Sequence, residues 1–402
     1  MASALTSQVA VVGGGPSGLI AAIALAGAGI ETVLFAPQAT GIDRRTTALL
    51  DGSVQVLRAL DLWPQLVPHC APLERMRLID ATRRLIRAPE VSFDCAELGL
   101  EAFGYNIENA ILNRELRKAT HRLPALRIAE VEVEEIVLPD DKAILRTGKD
   151  HWEIKLVIAA DGRHSISRKA AGIETDRHEF PQTALTMNLR HSRAHRNVST
   201  EFHTETGPFT LVPLPGMRSS LVWVLDPEQA IELGGLEDAA MALEVERRAH
   251  SILGRMEIDG PRGSFPLSIE IARRLASRRV VLVGEAGHAL PPIGAQGLNL
   301  GIRDAATAAE LAADRLRAGE DPGGGDMMDR YENARRPDVR ARALAVEFMN
   351  RSLLSDFLPV HAARGFGMEL AARIGPLRRA LMRQGVGPQD SAAPRLARGE
   401  RL

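Results

Sequence analysis

The stretch Val11-Val12-Gly13-Gly14-Gly15-Pro16-Ser17-Gly18-Leu19 decides how this chain is read. Before it, the β-branched run Gln8–Val12 predicts a buried strand ending in glycines. After it, Ser17–Gly29 is rich in Ala and Leu and predicts a helix stopped by Gly27-Ala28-Gly29, and Glu31–Phe35 predicts the next strand. Gly13-x-Gly15-x-x-Gly18 between strand and helix is the turn of a dinucleotide-binding βαβ unit. Gly13 permits the sharp turn, Gly15 lets the backbone approach a pyrophosphate, and Gly18 lets helix pack close on strand. The helix N-terminus offers free N–H groups and partial positive charge to the diphosphate. Gly13, Gly15, Pro16, Ser17 and Gly18 are therefore candidate cofactor contacts. The turn does not choose between FAD and NAD(P), and a glycine turn without a ligand is the plain alternative. One usual element is missing: an acidic residue about 20 residues on normally grips the ribose, and Ala36 stands there. Gln38, Arg44 and Arg45 are the substitute candidates.

Further along, the buried run Leu156–Ala160 leads into Asp161-Gly162-Arg163-His164-Ser165-Ile166-Ser167-Arg168. Asp-Gly at a strand end is a common turn; the extended Asp161-Gly162-x-x-Ser165-x-x-Arg168 is more specific. Arg168 reads as a phosphate partner or as a surface helix charge. Then comes Gly284-Glu285-Ala286-Gly287-His288-Ala289-Leu290-Pro291-Pro292-Ile293-Gly294-Ala295-Gln296-Gly297-Leu298-Asn299-Leu300-Gly301. A Pro/Gly loop capping a helix would explain any one of these residues, but not the string after two companion motifs.

Together and in this order, the three segments resemble the single-component FAD-dependent aromatic hydroxylases similar to p-hydroxybenzoate hydroxylase. The resemblance implies FAD, with the ring lying against Pro291, Pro292, Gly294, Gln296 and Gly297, and with cofactor contacts from Asp161, Gly162, Glu285, Pro292, Gly297, Leu298 and Asn299. Glu285 replaces the family's usual Asp and keeps an acceptor for ribityl hydroxyls. The helix starting near Leu298 would aim N–H groups at the flavin edge where negative charge builds on reduction. His288 is read as a satisfied interior histidine. Asp43-Arg44-Arg45 resembles the family's Asp/Arg loop, with Arg45 either a cofactor contact or a solvated charge. Asn109 stands where the family helix often begins with Arg.

Glu201-Phe202, Gly207–Pro215 and Ser219–Trp223, with Gly104–Asn109 and Gly294–Asn299, look like the ubiquinone-biosynthesis hydroxylases. That branch implies NAD(P)H as transient reductant and O2 adding at the flavin C4a. The terminal oxygen would go to a small hydrophobic aromatic substrate, a polyprenyl phenol. It also implies other quinone-biosynthesis enzymes as partners and a peripheral contact with the inner membrane. Met187, Phe209, Leu211 and Trp223 read either as a substrate wall or as core. Gly365–Gly385, with Arg373, Arg378, Arg379 and Arg383 among apolar residues, reads as a membrane-facing helix or as a solvated face. A reductase on the same fold would carry a second strand–Gly-x-Gly-x-x-Gly–helix, which the sequence lacks. A flavin-binding scaffold without turnover is a third reading, kept open by Ala36 and Glu285.

The bulk properties fit. The 402 residues suffice for two lobes, with 45% hydrophobic and 25% charged residues and a net charge of −1. Nothing in that charge draws the chain to nucleic acid. Cys70 and Cys95 form no metal-type spacing and no disulfide framework, no metal cluster is read, and no leader precedes the first strand, so a cytoplasmic protein is expected. The expected fold is α/β. It has a discontinuous Rossmann-like FAD-binding domain (1–75, 100–175, 275–345), an antiparallel β-sheet substrate domain (76–99, 176–274) and a C-terminal helical region (346–402). Strands are predicted at Met76–Leu85, Val91–Phe93, Val131–Val137, Lys142–Arg146, Ile154–Ala159, Ala184–Leu189, Thr200–His203, Phe209–Val212 and Ser219–Val224. Helices are predicted at Thr47–Leu60, Asn109–Arg122, Leu243–Leu253, Leu298–Ala318 and Asp329–Asn350, and in pieces over Leu353–Arg383.

Overall fold

The computed structural model describes residues 5–38, 41, 43, 45–82, 87–148, 150–354, 374–386 and 393–402. Arg44, Arg373, residues 83–85 of the predicted strand and most of 353–373 lie outside them. Val9–Val12 are buried on both faces, as the continuous apolar run requires of a central parallel strand. Leu5–Val12 lies between Thr32–Phe35 and Asp150–Ala159, parallel to both. The sheet extends to Leu126–Ala129 on one side and to Val280–Leu282 and Ala276–Ser277 on the other. Ala143–Thr147 and Glu135–Val137 branch from it as antiparallel strands. Helices Pro16–Gly27 and Gln296–Arg317 pack against each other on this Rossmann-like sheet.

The second sheet runs in the order His288–Ala289, Gly263–Ala272, Thr175–His191, Arg218–Leu225, Pro208–Leu214, Val198–His203, Arg75–Asp80, Val91–Asp94. It is antiparallel except where Val198–His203 meets Arg75–Asp80. Its 17-residue strand Thr175–His191 carries a register shift between Glu179 and Thr183. Helices Pro227–Gly234 and Asp238–Arg248 cover one face, their Ala230, Met241 and Val245 sharing a core with Leu185, Met187, Phe202 and Trp223. A small sheet of Thr46–Leu50, Gly104–Glu108 and Ala71–Pro72 joins the lobes. Thr46 Oγ1 donates to Ser220 Oγ (2.9 Å), Asn106 Nδ2 donates to Pro213 O (2.8 Å), and Arg218 pairs with Glu108 (2.9 Å).

Three expectations change. The helix predicted at Thr47–Leu60 begins only at Asp51, because Thr46–Leu50 pairs with Gly104–Glu108 as a strand, where β-branched residues fit the pleat. In the region of Val131–Val137 only Glu135–Val137 is strand, while Leu126–Ala129 takes the parallel position beside Thr32–Phe35. Strand Gly263–Ala272 was not foreseen, since Gly263 and Pro266 break its pattern. Helix Gly325–Leu354 runs unbroken past Pro337 and across positions 345 and 346.

Candidate active site

Gly13 has φ +117°, and its N–H donates to Phe35 O at 2.9 Å. A Cβ on Gly13 would lie 2.1 Å from Ala160 O, and one on Gly18 2.1 Å from Gly13 O, so neither position admits a side chain. A Cβ on Gly15 would meet nothing within 4 Å. Gly15 caps Pro16–Gly27, whose first turn carries no acidic residue and no side-chain cap. The positive helix end therefore faces open space, as an anion site needs.

Ser17 connects this turn to the later motif. A Cβ on Gly301 would stand 2.4 Å from Ser17 Oγ, and one on Gly284 (φ +61°) 3.1 Å from it. The two glycine segments, nearly 270 residues apart, are thus in contact. Gly294 (φ +66°) and Ala295 (φ +55°) are both left-handed immediately before helix Gln296–Arg317. For Ala295 that conformation costs about 1–2 kcal/mol. Asn299 holds it in place. Its Oδ1 accepts from Leu50 N (2.9 Å) and Ser53 Oγ (2.6 Å), and its Nδ2 donates to Ala48 O (2.8 Å) and Ala295 O (2.6 Å). The Asn299 amide is wholly engaged by protein, so its part is to position the loop. Gln296 Nε2 donates to Gly294 O, while its Oε1 is enclosed without a partner. Pro291 is buried; Pro292 and Gly294 are exposed, and Gly297 and Leu298 half-buried. A Cβ on Gly297 would meet nothing within 4 Å.

Beneath the loop lies a buried charge chain. Asp304 Oδ2 accepts from Gly284 N (3.1 Å) and pairs with His288 Nε2 (2.6 Å), and Oδ1 accepts from Arg335 (2.7 Å). Arg335 and Arg303 both reach Asp338. Burial pushes the Asp304 carboxyl up, but His288 and Arg335 outweigh it and bring it down to about 2. His288 is interior, as read from sequence, but only Nε2 is satisfied; Nδ1 has no partner.

The Asp161 carboxylate accepts from Ser165 Oγ (2.6 Å), Ser167 N (3.1 Å) and Ser167 Oγ (2.9 Å), so it organises its own loop, and Gly162 turns there with φ +77°. Arg168 is buried and donates to Ala286 O (2.8 Å) and Arg163 O (2.7 Å), tying that loop to the Gly284 segment. It is neither a surface charge nor free for a phosphate. Glu285 is half-exposed and meets Arg163 at 3.3 Å. Arg45 grips Asp43 (2.8 Å) and lies over the Phe265 ring (5.6 Å). Asn109 Nδ2 also donates to Asp43 (3.0 Å), and Thr47 Oγ1 donates to Asn109 Oδ1 (2.6 Å). Burial raises the Asp43 carboxyl, but the Arg45 and Asn109 hydrogen bonds bring it below its ordinary value. Glu285 adds, as the smallest contribution, to the forces that raise Arg45.

Glu130 and Arg117, near Ala36 and the glycine turn, escaped the sequence reading. Gln38 donates to Glu130 Oε2 (3.0 Å), putting a carboxylate from the neighbouring strand end near the place that Ala36 leaves without one. Arg117 brings its guanidinium within 2.8 Å of where a Gly14 Cβ would be. Both follow motif-free segments, so spacing could not reveal them.

The expected substrate wall is corrected. Met187, Phe209, Leu211 and Trp223 are buried together under the two covering helices, on the sheet face turned away from the loop. The opposite face presents Thr186, Val222, Thr210 and Glu201 in one cross-strand row.

Two glycines with open space, an enclosed unpartnered Gln296 Oε1, and two helix N-termini with no acid in the first turn fit a flat, diphosphate-bearing cofactor. Such a fold and site define the FAD-dependent aromatic monooxygenase class. A family model described as FAD binding domain matches residues 6–345, and the chain belongs to that family. It is 33% identical over 403 residues to ubiquinone hydroxylase UbiL of Rhodospirillum rubrum, covering 98% of this chain and 93% of that one. It is 27% identical to the 3-demethoxyubiquinol 3-hydroxylase of Escherichia coli, covering 95% and 98%. The crystal structure of p-nitrophenol 4-monooxygenase PnpA from Pseudomonas putida DLL-E4 superposes with TM-score 0.77 at 20% identity, covering 96% of this chain and 100% of that one.

Proposed function

We propose that this chain hydroxylates the ring of a polyprenyl phenol in ubiquinone biosynthesis, with NAD(P)H as reductant and O2 as oxidant. The observation that carries the reading is the meeting of the two glycine segments at Ser17, with open space at both Gly15 and Gly297. The likeness to ubiquinone hydroxylases over nearly the whole chain supports the pathway. Bound FAD supplies the electron transfer and oxygen activation. The protein's part is placement and exclusion of water. Gly13–Gly18 would hold the diphosphate. Arg45, Asn109, Asp161, Gly162 and Glu285 would border the ring and ribityl region, and the start of helix Gln296–Arg317 would face the ring edge with its N–H groups.

A polyprenyl tail calls for an apolar surface. Among the described residues, Leu344 and Phe348 stand exposed on helix Gly325–Leu354, and Leu377 and Leu381 on helix Gly375–Val386. No described helix is long and apolar enough to cross a membrane. Peripheral contact with the cytoplasmic face of the inner membrane, beside other quinone-biosynthesis enzymes, fits these features. The test is NAD(P)H oxidation by FAD-loaded protein with a phenolic quinone precursor, with the product identified. A hydroxylated ring supports the reading; unaltered phenol with reduction of some other acceptor overturns it. Deleting the gene and identifying the accumulated intermediate tests pathway and ring position together.

A further inference from the structure

Ala36 stands at the strand end that normally supplies a carboxylate to the adenosine ribose of a bound dinucleotide. A cation lies there instead. We infer that Arg117 holds the 2′-oxygen of the FAD adenosine ribose as a hydrogen-bond donor, and that the FAD-free chain therefore prefers an adenosine carrying a 2′-phosphate. The inference rests on the glycine turn as an FAD site and not on which phenol is hydroxylated.

Placement comes from the turn itself. A Cβ on Gly14 would lie 2.8 Å from Ala36 Cβ and 2.8 Å from Arg117 Nη2. One point in the middle of the glycine turn thus touches both residues. Ala36 is wholly buried, although it follows strand Thr32–Phe35 at the edge of the site. The guanidinium takes the room that a longer side chain at position 36 would need. Arg117 comes from the last turns of helix Asn109–Thr120, which packs against helix Pro16–Gly27 with Leu112 and Leu116 buried.

The chemistry follows from what Arg117 lacks. Among the described residues its side chain has no hydrogen bond and no ion pair, and none of its nitrogens is enclosed. Glu115, two residues earlier, is taken by Arg114 (2.8 Å) and Lys118 (3.0 Å). Arg117 is thus a half-buried cation without a counter-ion, beside a helix start with no acid in its first turn. A guanidinium donates and never accepts, whereas a carboxylate does the reverse. A ribose hydroxyl satisfies either. A 2′-phosphate offers acceptors and negative charge alone, so a carboxylate repels it and the planar fork of an arginine matches it.

Glu130 is the rival for the ribose. It follows Ala129, whose O accepts from Ala36 N at 2.9 Å. Its side chain is exposed, however, and its Oε2 already accepts from Gln38. With Glu130 as the ribose group a 2′-phosphate would be repelled, so the two assignments predict opposite signs.

The test strips FAD from the full-length chain and titrates it by calorimetry with FAD, ADP-ribose and 2′-phospho-ADP-ribose. Wild type is expected to bind the 2′-phosphorylated probe about threefold or more tightly than ADP-ribose. Arg117→Met is expected to abolish that preference and to weaken FAD about tenfold. Glu130→Gln is expected to keep the wild-type ratio within about twofold. Wild type that prefers plain ADP-ribose overturns the assignment, as does wild type that takes FAD but neither probe. An Arg117→Met chain that keeps the wild-type ratio overturns it too, and equal weakening of both probes would mean that Arg117 serves the diphosphate instead. Should Arg117→Met not fold, Arg117→Lys carries the comparison, since it keeps the charge but loses the two-pronged grip and with it most of the preference. A wild-type chain that takes up no FAD sinks the cofactor site itself; one that does, with the probe ratio unmoved in the variants, sinks only the role of Arg117.

Discussion

Gly297 shows what a single missing side chain does. A Cβ there meets no protein atom, so Gly297→Val is expected to change the stability of the apoprotein by less than about 1 kcal/mol. It should nonetheless weaken FAD binding tenfold or more, read by flavin fluorescence titration. Asp304 is the opposite case, a carboxylate whose every oxygen is used. Its folded value of about 2 lies below the ordinary 3.8, so its contribution is complete above roughly pH 4 and disappears as pH falls from there toward 2. The shift is worth about 2 kcal/mol. Urea unfolding from pH 6 to pH 2 is expected to show that loss in wild type and a flatter profile in Asp304→Asn. At pH 6 the variant should be less stable by about 3–5 kcal/mol, because it leaves buried cations uncompensated.

At the scale of elements, helix Gln296–Arg317 is set in place by one amide. Asn299 joins the helix start to Ala48, Leu50 and Ser53, and so joins the loop to the small connecting sheet. Asn299→Leu leaves those groups unsatisfied; a loss of about 3 kcal/mol in urea unfolding, with weaker FAD retention, is expected. What the sequence made legible here was the part written in glycines and in apolar runs. Gly13, Gly18 and Gly301 are dictated by close backbone approach, and such approach leaves a spacing. Strands Leu5–Val12 and Asp150–Ala159 were legible because burial on both faces gives unbroken apolar runs. The direction in which a sheet face points was not legible. Trp223 and Val222 are equally apolar neighbours, and only the covering helices decide which faces the core. Arg168, too, reads as any helix arginine until Ala286 O is found beside it.

For the whole molecule, the joint between the lobes is polar. Arg218 reaches Glu108 at 2.9 Å and Asp259 at 2.7 Å, linking the connecting sheet to the large one. Arg218→Met is expected to lower unfolding stability by about 1–2 kcal/mol and to broaden the thermal transition, read by calorimetry. The chain itself crosses between the lobes repeatedly. Strands Arg75–Asp80 and Val91–Asp94 belong to the large sheet, Gly104–Glu108 to the small one, and Asp150–Ala159 to the parallel one. The chain then returns to the large sheet at Thr175 and leaves it again after Ala272. No single cut in the gene yields either lobe as one continuous fragment. Exchange of a lobe by recombination would need several simultaneous breakpoints, so new substrate preferences in this architecture must arise by point changes on a scaffold inherited whole.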